Sequence, residues 1–310
     1  MGNARRILHW LGTSGRRVAA ETVRSQDLSA LACIVMATND RERLLKLAEG
    51  GDAQAQLELA RCFDFDEPKD PEQAMNWYGK AAEQGLADAQ SAFGECLRDG
   101  VGTPADSAAA VPWFEKAAKQ GDVDAQVSLG YALFNGDGVA EDQDAALRWY
   151  RTAAEQGDMD AQYNIAQMYR QGSGVELSIE DAVRWYKLAA SDGHVPSMHW
   201  LARIYGADGD YPLDMEKALE WLERAAEGGD AECQCSLGVH YHNGEGVPRD
   251  REKSVGLYRA AAEQGNDWAQ YFLGLCYWEG EGVPANRKTA RAWLRKAADQ
   301  GIEEAASYLE

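Results

Sequence analysis

A period of 36 residues runs through most of this chain and constrains its fold more than any other feature. An Ala-Ala pair, any two residues and a glycine recur seven times at this spacing. The glycines are Gly85, Gly121, Gly157, Gly193, Gly229, Gly265 and Gly301. Repetition at such an interval is typical of solenoids, in which each unit packs only on its neighbours. The period therefore predicts one elongated stack rather than separate globular domains.

Each period is predicted to contain two helices joined by a glycine turn. In the third copy, Leu129 and Leu133 follow Gln126 at spacings that put them on one helical face. A Gly-x-Gly turn then follows, as in Gly136/Gly138, Gly172/Gly174, Gly244/Gly246 and Gly280/Gly282. Glycine suits the left-handed conformation that ends many helices. The second helix is predicted to begin after an N-cap, at Asp70, Asp106, Asp142, Ser178, Asp214, Asp250 and Asn286.

Tryptophan recurs in register within the second helix. The column comprises Trp77, Trp113, Trp149, Trp185, Trp221 and Trp293, with Leu257 in the remaining copy. Because an indole buries a large apolar area, we expect these side chains to lie in the core rather than to bind a partner. Replacing Trp149 by Ala is then expected to unfold its repeat locally.

The third copy carries a recognisable signature. It reads Asp124-Ala125-Gln126, Leu129-Gly130, Gly136-Asp137-Gly138-Val139, Trp149-Tyr150 and Ala153-Ala154-Glu155-Gln156-Gly157. This pattern resembles the Sel1-like repeat, a relative of the tetratricopeptide repeat, over about residues 50–310. The resemblance implies an all-α, right-handed superhelical α-solenoid of about seven helix-turn-helix repeats of 36 residues. It also implies an adaptor or scaffold role. We expect residues 41–310 to form the solenoid and residues 1–40 to be a partly helical cap or arm.

The fifth copy departs from the pattern although it is central in the stack. Pro196-Ser197-Met198 replaces Asp-Ala-Gln, and residues 208–211 replace the glycine turn. Neutral drift and a bend or binding locus are both consistent with this irregularity.

The N-terminal segment differs in charge from the repeats. Residues 1–47 have a net charge of +4 and the remainder has −24. Leu28, Leu31 and Val35 are predicted to cover the first repeat as a helical cap. Alternatively, the basic segment could occupy an acidic groove until a partner displaces it.

Composition excludes several classes of partner. The chain has 310 residues and a net charge of −20, which argues against general nucleic-acid binding and against docking on anionic lipid. The apolar run from Leu28 to Ala37 is far shorter than a membrane span. The six cysteines do not recur in pairs, which favours a reducing, cytoplasmic environment. We therefore expect no nucleic-acid partner, no membrane partner and a cytoplasmic location.

The sequence contains no recognisable catalytic motif. No phosphate-binding loop is present, and the Gly-x-Gly turns follow helices rather than strands. One metal-like cluster, Cys233, Cys235, His240 and His242, lies on a single predicted helix. Cys233 and His240 are separated by about 10 Å along such a helix, which is too far for shared chelation. We therefore expect no enzymatic activity, cofactor or metal.

The most plausible binding surface is the groove formed by the first helices. An apolar column recurs in the first helices, at Phe93, Leu129, Ile165, Leu201, Leu237, Leu273 and Leu309. By resemblance to tetratricopeptide stacks, the groove positions lie two before, two after and five after this column. The predicted partner-binding residues are Tyr131, Phe134, Tyr163, Arg170, His199, Arg203, His242, Tyr271 and Trp278. Tyr, Trp and Arg often anchor interfaces, although some of these side chains could instead pack between repeats.

Three functions remain open at this point. The first is an adaptor that holds a peptide or helix of an unknown protein in its concave groove. The second is a structural subunit of a larger assembly, bound through its edge or N-terminal arm. The third is an enzyme or small-molecule binder that uses the fifth and sixth repeats, with His199, Arg203 and His242.

Overall fold

The computed structural model describes residues 41–66, 69–206 and 211–309, and every regular element in these ranges is an α-helix. Helix α1 includes residues 41–49. The others are α2 (Ala53–Phe65), α3 (Pro71–Glu83), α4 (Ala87–Asp99), α5 (Ser107–Lys119), α6 (Val123–Asn135), α7 (Gln143–Glu155), α8 (Met159–Gln171), α9 (Ile179–Ser191), α10 (Val195–Gly206), α11 (Met215–Glu227), α12 (Ala231–Asn243), α13 (Arg251–Glu263), α14 (Asp267–Glu279), α15 (Arg287–Asp299) and α16 (Glu303–Ala306). Each helix packs on the next along the chain. Seven repeats result, from α2/α3 to α14/α15, and the predicted all-α solenoid is confirmed.

The predicted helix boundaries are confirmed by side-chain caps. All seven predicted N-caps of the second helices accept a hydrogen bond from the backbone N–H three residues on. Gly136, Gly172, Gly244 and Gly280 end their first helices in the left-handed conformation, with φ between 69° and 80°. Each repeat therefore sets its own helix ends by local chemistry.

The position directly after the tryptophan column holds aromatic residues that are almost fully buried. Phe114, Tyr150, Tyr186 and Tyr258 are at most 2% exposed. The rings of Phe114, Tyr150 and Tyr258 lie against a glycine of the partner helix, such as Gly130 beside Tyr150. A Cβ at Gly130 would come within 2.7 Å of that ring. The absence of a side chain there allows close approach of the two helices.

The tryptophans are less buried than the sequence predicts. Only Trp77 and Trp221 are buried, whereas Trp113, Trp149, Trp185 and Trp293 are half-buried at the edge of the core. A basic residue three positions on covers one ring face in four repeats. These pairs are Lys80 on Trp77, Lys116 on Trp113, Arg224 on Trp221 and Lys296 on Trp293. Such cation–π contacts cover indole surface that the core leaves open.

A ladder of glutamine pairs, each made of a buried glutamine and an exposed one, connects the repeats. Gln126 donates to the Ala118 carbonyl of the preceding repeat and accepts from Gln156 Nε2 at 2.9 Å. The same glutamine pair recurs as Gln56/Gln84, Gln90/Gln120, Gln234/Gln264 and Gln270/Gln300, at 2.7 to 2.9 Å. Each buried first-helix glutamine therefore pairs its own amide with a backbone carbonyl and with the exposed glutamine of the second helix, so that no polar atom of it is left unpaired in the interior, where that would be costly.

The ladder stops in the middle of the stack. Asp192 stands where five other repeats have the second glutamine, and Gln162 Oε1 has no hydrogen-bond partner among the described residues. In the fifth repeat, Met198 and Gly228 replace both glutamines. The glutamine pair is therefore missing at the centre, where other polar contacts join the repeats, such as His194 Nε2 to Asp160 at 3.1 Å.

Restoring the ladder should stabilise the chain. We expect Asp192→Gln to increase the free energy of unfolding by about 1 kcal/mol, because its amide can donate to Gln162 Oε1. Chemical denaturation followed by circular dichroism measures the change. Asp192→Glu has similar size but no donor, and an equal gain in that variant would contradict the explanation.

The N-terminal boundary falls partly outside the described residues. Helix α1 contributes Ala48 to the first core cluster, and the Ala48 carbonyl accepts from Gln56 Nε2 at 2.9 Å. Residues 41–49 therefore act as a preceding second helix. The predicted cap residues Leu28, Leu31 and Val35, and the proposed arm, lie outside the described residues.

Candidate functional site

Two cavities open beside the first helices. The first has a volume of about 520 Å³ and lies between α4, α6 and α8. Its walls are formed by Arg98, Asp99, Ser107, Val127, Ser128, Tyr131, Asp137 and Asn164. Tyr131 projects from this wall with 52% of its surface exposed. An exposed aromatic ring at the edge of a depression offers apolar area to a partner.

The second cavity lies between the fifth and sixth repeats. It has a volume of about 310 Å³, and its walls come from α10, α11 and α12. The polar part of the lining comprises His199, Arg203, Glu232, Ser236 and His240. The apolar floor includes Leu219 and Leu222. The structure thus places His199 and Arg203 on one wall.

Three of the predicted site residues surround Trp200. The Arg170 guanidinium lies 4.0 Å from the centre of its ring, and that of Arg203 lies 5.1 Å away. The Tyr163 hydroxyl accepts a hydrogen bond from Trp200 Nε1 at 3.3 Å. Tyr163 and Arg170 therefore pack between the fourth and fifth repeats, whereas Arg203 remains exposed.

The remaining predicted residues pack within the stack. Phe134 is half-buried against the core of the third and fourth repeats. His242 Nε2 lies 3.3 Å from Glu281, which also pairs with Arg251 at 2.8 Å. Tyr271 and Trp278 pack against the core cluster of α15 and α16. These four side chains contribute little free surface, and the two that project most are Tyr131 and Arg203.

The fifth repeat contains two residues whose importance the sequence interpretation missed. Trp200 occupies a column that elsewhere holds Ala92, Ser128, Asn164, Ser236 and Phe272. His194 replaces the usual N-cap aspartate, and its Nδ1 accepts from the Ser197 backbone N–H at 3.3 Å. Comparing the residues at these two positions across the repeats would have identified both departures.

His199 lies between two carboxylates of the sixth repeat. Its Nδ1 is 3.2 Å from Asp230 Oδ2, and its Nε2 is 3.7 Å from Glu232 Oε2. The hydrogen bond to Asp230 raises the pKa of His199 above its usual value, against the opposing effect of burial. Burial by itself would raise the pKa of Asp230, but hydrogen bonds from His199 and Cys233 outweigh it and lower the value to about 2.

The equivalent N-cap in the third repeat titrates in the opposite direction. Burial raises the pKa of Asp122 to about 6, although the Ala125 backbone N–H donates to it at 2.7 Å. The residue beside it from the preceding repeat is Ser91 rather than a histidine. A folded-state pKa above the unfolded value means that Asp122 favours folding below about pH 4. That contribution is lost as the pH rises through about 6.

We therefore predict that Asp122→Asn stabilises the chain only at higher pH. Asparagine keeps the acceptor for the helix cap, as Asn266 does in the seventh repeat, but carries no charge. The variant should be more stable than wild type by about 1 kcal/mol at pH 8 and show no gain at pH 4. Urea unfolding at both pH values measures this. A loss of stability at pH 8 would contradict the assignment.

The four residues of the metal-like cluster identified in the sequence make separate contacts. His240 Nδ1 lies 2.9 Å from the Glu245 carbonyl, and His242 pairs with Glu281. Cys233 and Cys235 are both buried, and burial raises the pKa of Cys235 to about 12. All five cysteines in the described part of the chain are free thiols. None of the helices in these ranges is both long and apolar enough to cross a membrane.

Comparison with known proteins adds to this description. The family model for the Sel1 repeat matches seven segments, at residues 53–86, 87–122, 123–158, 160–194, 195–230, 231–266 and 269–302. The crystal structure of a Sel1 repeat protein from Oxalobacter formigenes is 34% identical, with a TM-score of 0.76, and the match covers 88% of this chain and 80% of that one. No curated protein sequence matches this chain.

A second similar crystal structure is that of a protective antigen, with an SLR fold, present in uropathogenic Escherichia coli strains. It is 35% identical over 86% of this chain, with a TM-score of 0.71. The match covers 58% of the antigen, so this chain spans less than two thirds of its length.

Proposed function

The chain belongs to the Sel1 repeat family, whose members generally mediate protein–protein interaction, and we propose that it is a non-enzymatic scaffold that holds a peptide or helix of a partner protein along its first helices. The observation that carries this proposal is the position of the two cavities. Both are lined by residues of the first helices, and each has an exposed anchor residue beside it, Tyr131 in one and Arg203 in the other.

The chemistry of the anchors fits a protein partner. Tyrosine and arginine are enriched among residues that dominate interface energies. Arg203 lies against one face of Trp200, and this contact restricts the side chain before binding. A restricted side chain loses less conformational entropy when a partner binds it.

The net charge of the chain favours a basic partner segment. At −20, the chain attracts positively charged proteins and repels acidic ones over distances of about a Debye length. Association with such a segment should therefore slow as the salt concentration rises.

The proposal is tested by comparing the proteins that wild type and a groove variant retain from native lysate. The groove variant is Tyr131→Ser with Arg203→Ser, because both side chains are exposed and their loss should leave the fold intact. The control is Leu188→Ser with Arg148→Ser, which changes one exposed apolar and one exposed basic residue on second helices. Quantitative mass spectrometry reads the outcome, and circular dichroism checks folding.

We expect a protein that wild type and the control both retain and the groove variant loses by at least about 10-fold, since two anchor residues are each worth more than 1 kcal/mol. Retention by the groove variant and loss by the control would place the interface on the second helices. Equal retention by all three would favour a structural subunit held through its edge or through residues 1–40.

A small-molecule binder is the second candidate function, and the second cavity favours it. Its volume of about 310 Å³ is at the lower end of ligand sites, and His199 and Arg203 lie side by side on its wall. His242 contacts Glu281 instead and takes no part in that lining. A ligand that raises the melting temperature of wild type but not of Arg203→Ser would support this candidate.

A further inference from the structure

Three potential metal ligands meet where the fifth and sixth repeats join. His199 comes from α10, while Asp230 is the N-cap of α12 and Cys233 lies in the first turn of that helix. One imidazole nitrogen, one carboxylate oxygen and the thiol sulfur all lie within 4.8 Å of one another. This is the only group of three or more such side chains found in residues 41–66, 69–206 and 211–309.

The cluster depends on departures from the repeat in two neighbouring copies. The position of His199 holds Ser91, Val127, Tyr163, Cys235 and Tyr271 in other repeats. The position of Cys233 holds Ala55, Ala89, Ala125, Ala161, Ser197 and Ala269. Helix capping explains Asp230, as it does the aspartates at the same position elsewhere. It does not require a histidine or a cysteine beside it, so these two residues need a different explanation.

We propose that His199, Asp230 and Cys233 form a three-ligand site for a divalent transition-metal ion of the zinc class, with the fourth coordination position facing the cavity between α10, α11 and α12. The donor set of one nitrogen, one oxygen and one sulfur is of the kind that zinc accepts. This proposal does not depend on the scaffold function.

The distances fit tetrahedral coordination after a small movement. Bonds of about 2.0–2.3 Å place tetrahedral ligand atoms roughly 3.3–3.8 Å apart. His199 Nδ1 and Asp230 Oδ2 are already 3.2 Å apart. The largest separation in the group is within 4.8 Å, so the ligand atoms need to approach by about 1 Å.

The surroundings also support a bound cation. Asp230 Oδ1 accepts from the Cys233 backbone N–H at 2.7 Å, which fixes the carboxylate. Its Oδ2 faces His199 Nδ1 at 3.2 Å, and a metal ion would replace the proton that now lies between these two atoms. Glu232 lies 3.7 Å from His199 Nε2, where a carboxylate commonly orients a metal-bound imidazole. Asp230 and Glu232 together offset the positive end of the α12 dipole, which would otherwise repel a metal ion.

Solvent access comes from the second cavity. His199, Glu232 and Cys233 all contribute to its wall. A metal ion held by three protein ligands would therefore present its open position to this space. A water molecule or an oxygen or nitrogen atom of a bound molecule could complete the coordination.

The test is a titration of the metal-free full chain with Co²⁺, which reports a sulfur ligand through a thiolate-to-metal absorption band. Zn²⁺ is added to the same samples and followed by calorimetry. The variants are Cys233→Ser and His199→Gln, which each remove one proposed ligand. The matched control is Cys235→Ser, which removes another buried thiol two residues further along the same helix. Asp230 is left unchanged because it caps α12.

We expect wild type and Cys235→Ser to bind one ion per chain and to develop the thiolate band. Cys233→Ser should lose the band, and His199→Gln should bind at least 10-fold more weakly. A band that survives in Cys233→Ser or disappears in Cys235→Ser would overturn the proposal, as would the absence of saturable binding by wild type. Circular dichroism of each variant separates loss of a ligand from loss of the fold. If a ligand variant unfolds, hydrogen exchange of the α12 amides in wild type is measured with and without Zn²⁺. The proposal requires slower exchange with Zn²⁺, and unchanged exchange would overturn it.

Discussion

Gly138→Ala should destabilise the stack by about 3–5 kcal/mol, the largest effect we expect from a change of one methyl group. Gly138 has φ of +73°, which L-residues with a Cβ adopt only at a cost. Its Cα also lies so close to Ser107, the first residue of α5, that an added Cβ would clash with the Ser107 backbone carbonyl. The same close approach recurs between Gly102 and Pro71 and between Gly282 and Arg251.

Gly136→Ala provides the matched control for this prediction. Gly136 has φ of +70°, so the conformational penalty of alanine is the same. The nearest atom to its added Cβ, however, is 3.5 Å away, which is ordinary contact. We expect a loss of about 1–2 kcal/mol there. Urea unfolding of both variants measures the difference, and equal losses would show that inter-repeat contact at Gly138 contributes nothing.

Tyr150→Ala should reduce the free energy of unfolding by about 3–5 kcal/mol, and Trp149→Ala by about 1–3 kcal/mol. The two residues are neighbours on α7 and differ in burial. Tyr150 is 2% exposed and lies against Gly130, whereas Trp149 is half-buried at the edge of the preceding core cluster. The smaller ring is therefore expected to matter more, because more of its surface is removed from water.

Denaturant unfolding and hydrogen exchange together check this order. Exchange should accelerate across α6 and α7 in both variants and more strongly in Tyr150→Ala, while distant repeats change little, since repeats contact only their neighbours. A larger loss in Trp149→Ala would instead support the tryptophan column as the centre of the core.

Much of the fold follows directly from repetition in the sequence. The Gly-x-Gly turns and the seven N-caps are local signals that depend on a few neighbouring residues, and their recurrence in most or all copies makes them unambiguous. The degree of tryptophan burial was harder to predict. Periodicity identifies the face of a helix that turns inward, but the depth of a residue on that face depends on where the next repeat packs.

The glutamine ladder could not be recognised from pattern alone. Gln126 is a polar residue next to Ala125, and a polar residue in a helix usually faces solvent. Its burial results from a bond to Gln156, 30 residues later, and another to the preceding repeat. Only the packing of helices from two neighbouring repeats brings these groups together.

The candidate site was predictable only in outline. The rule of three groove positions per first helix selected Tyr131, His199 and Arg203, which line the two cavities. It also selected Tyr163 and Trp278, whose rings pack against neighbouring aromatic residues instead. It missed Trp200, because the position just before the apolar column holds small residues in most copies. Side-chain size in neighbouring repeats decides whether such a position is open.

Site-specific photo-crosslinking tests the groove most directly. A photoreactive phenylalanine analogue is placed at Tyr131, at Arg203 and, as the control, at Arg148 on α7, all of them exposed side chains. Each protein is irradiated in native lysate and its adducts are identified by mass spectrometry. The scaffold account predicts one partner crosslinked from residues 131 and 203 and absent from residue 148. Adducts of that partner from residue 148 alone would contradict it.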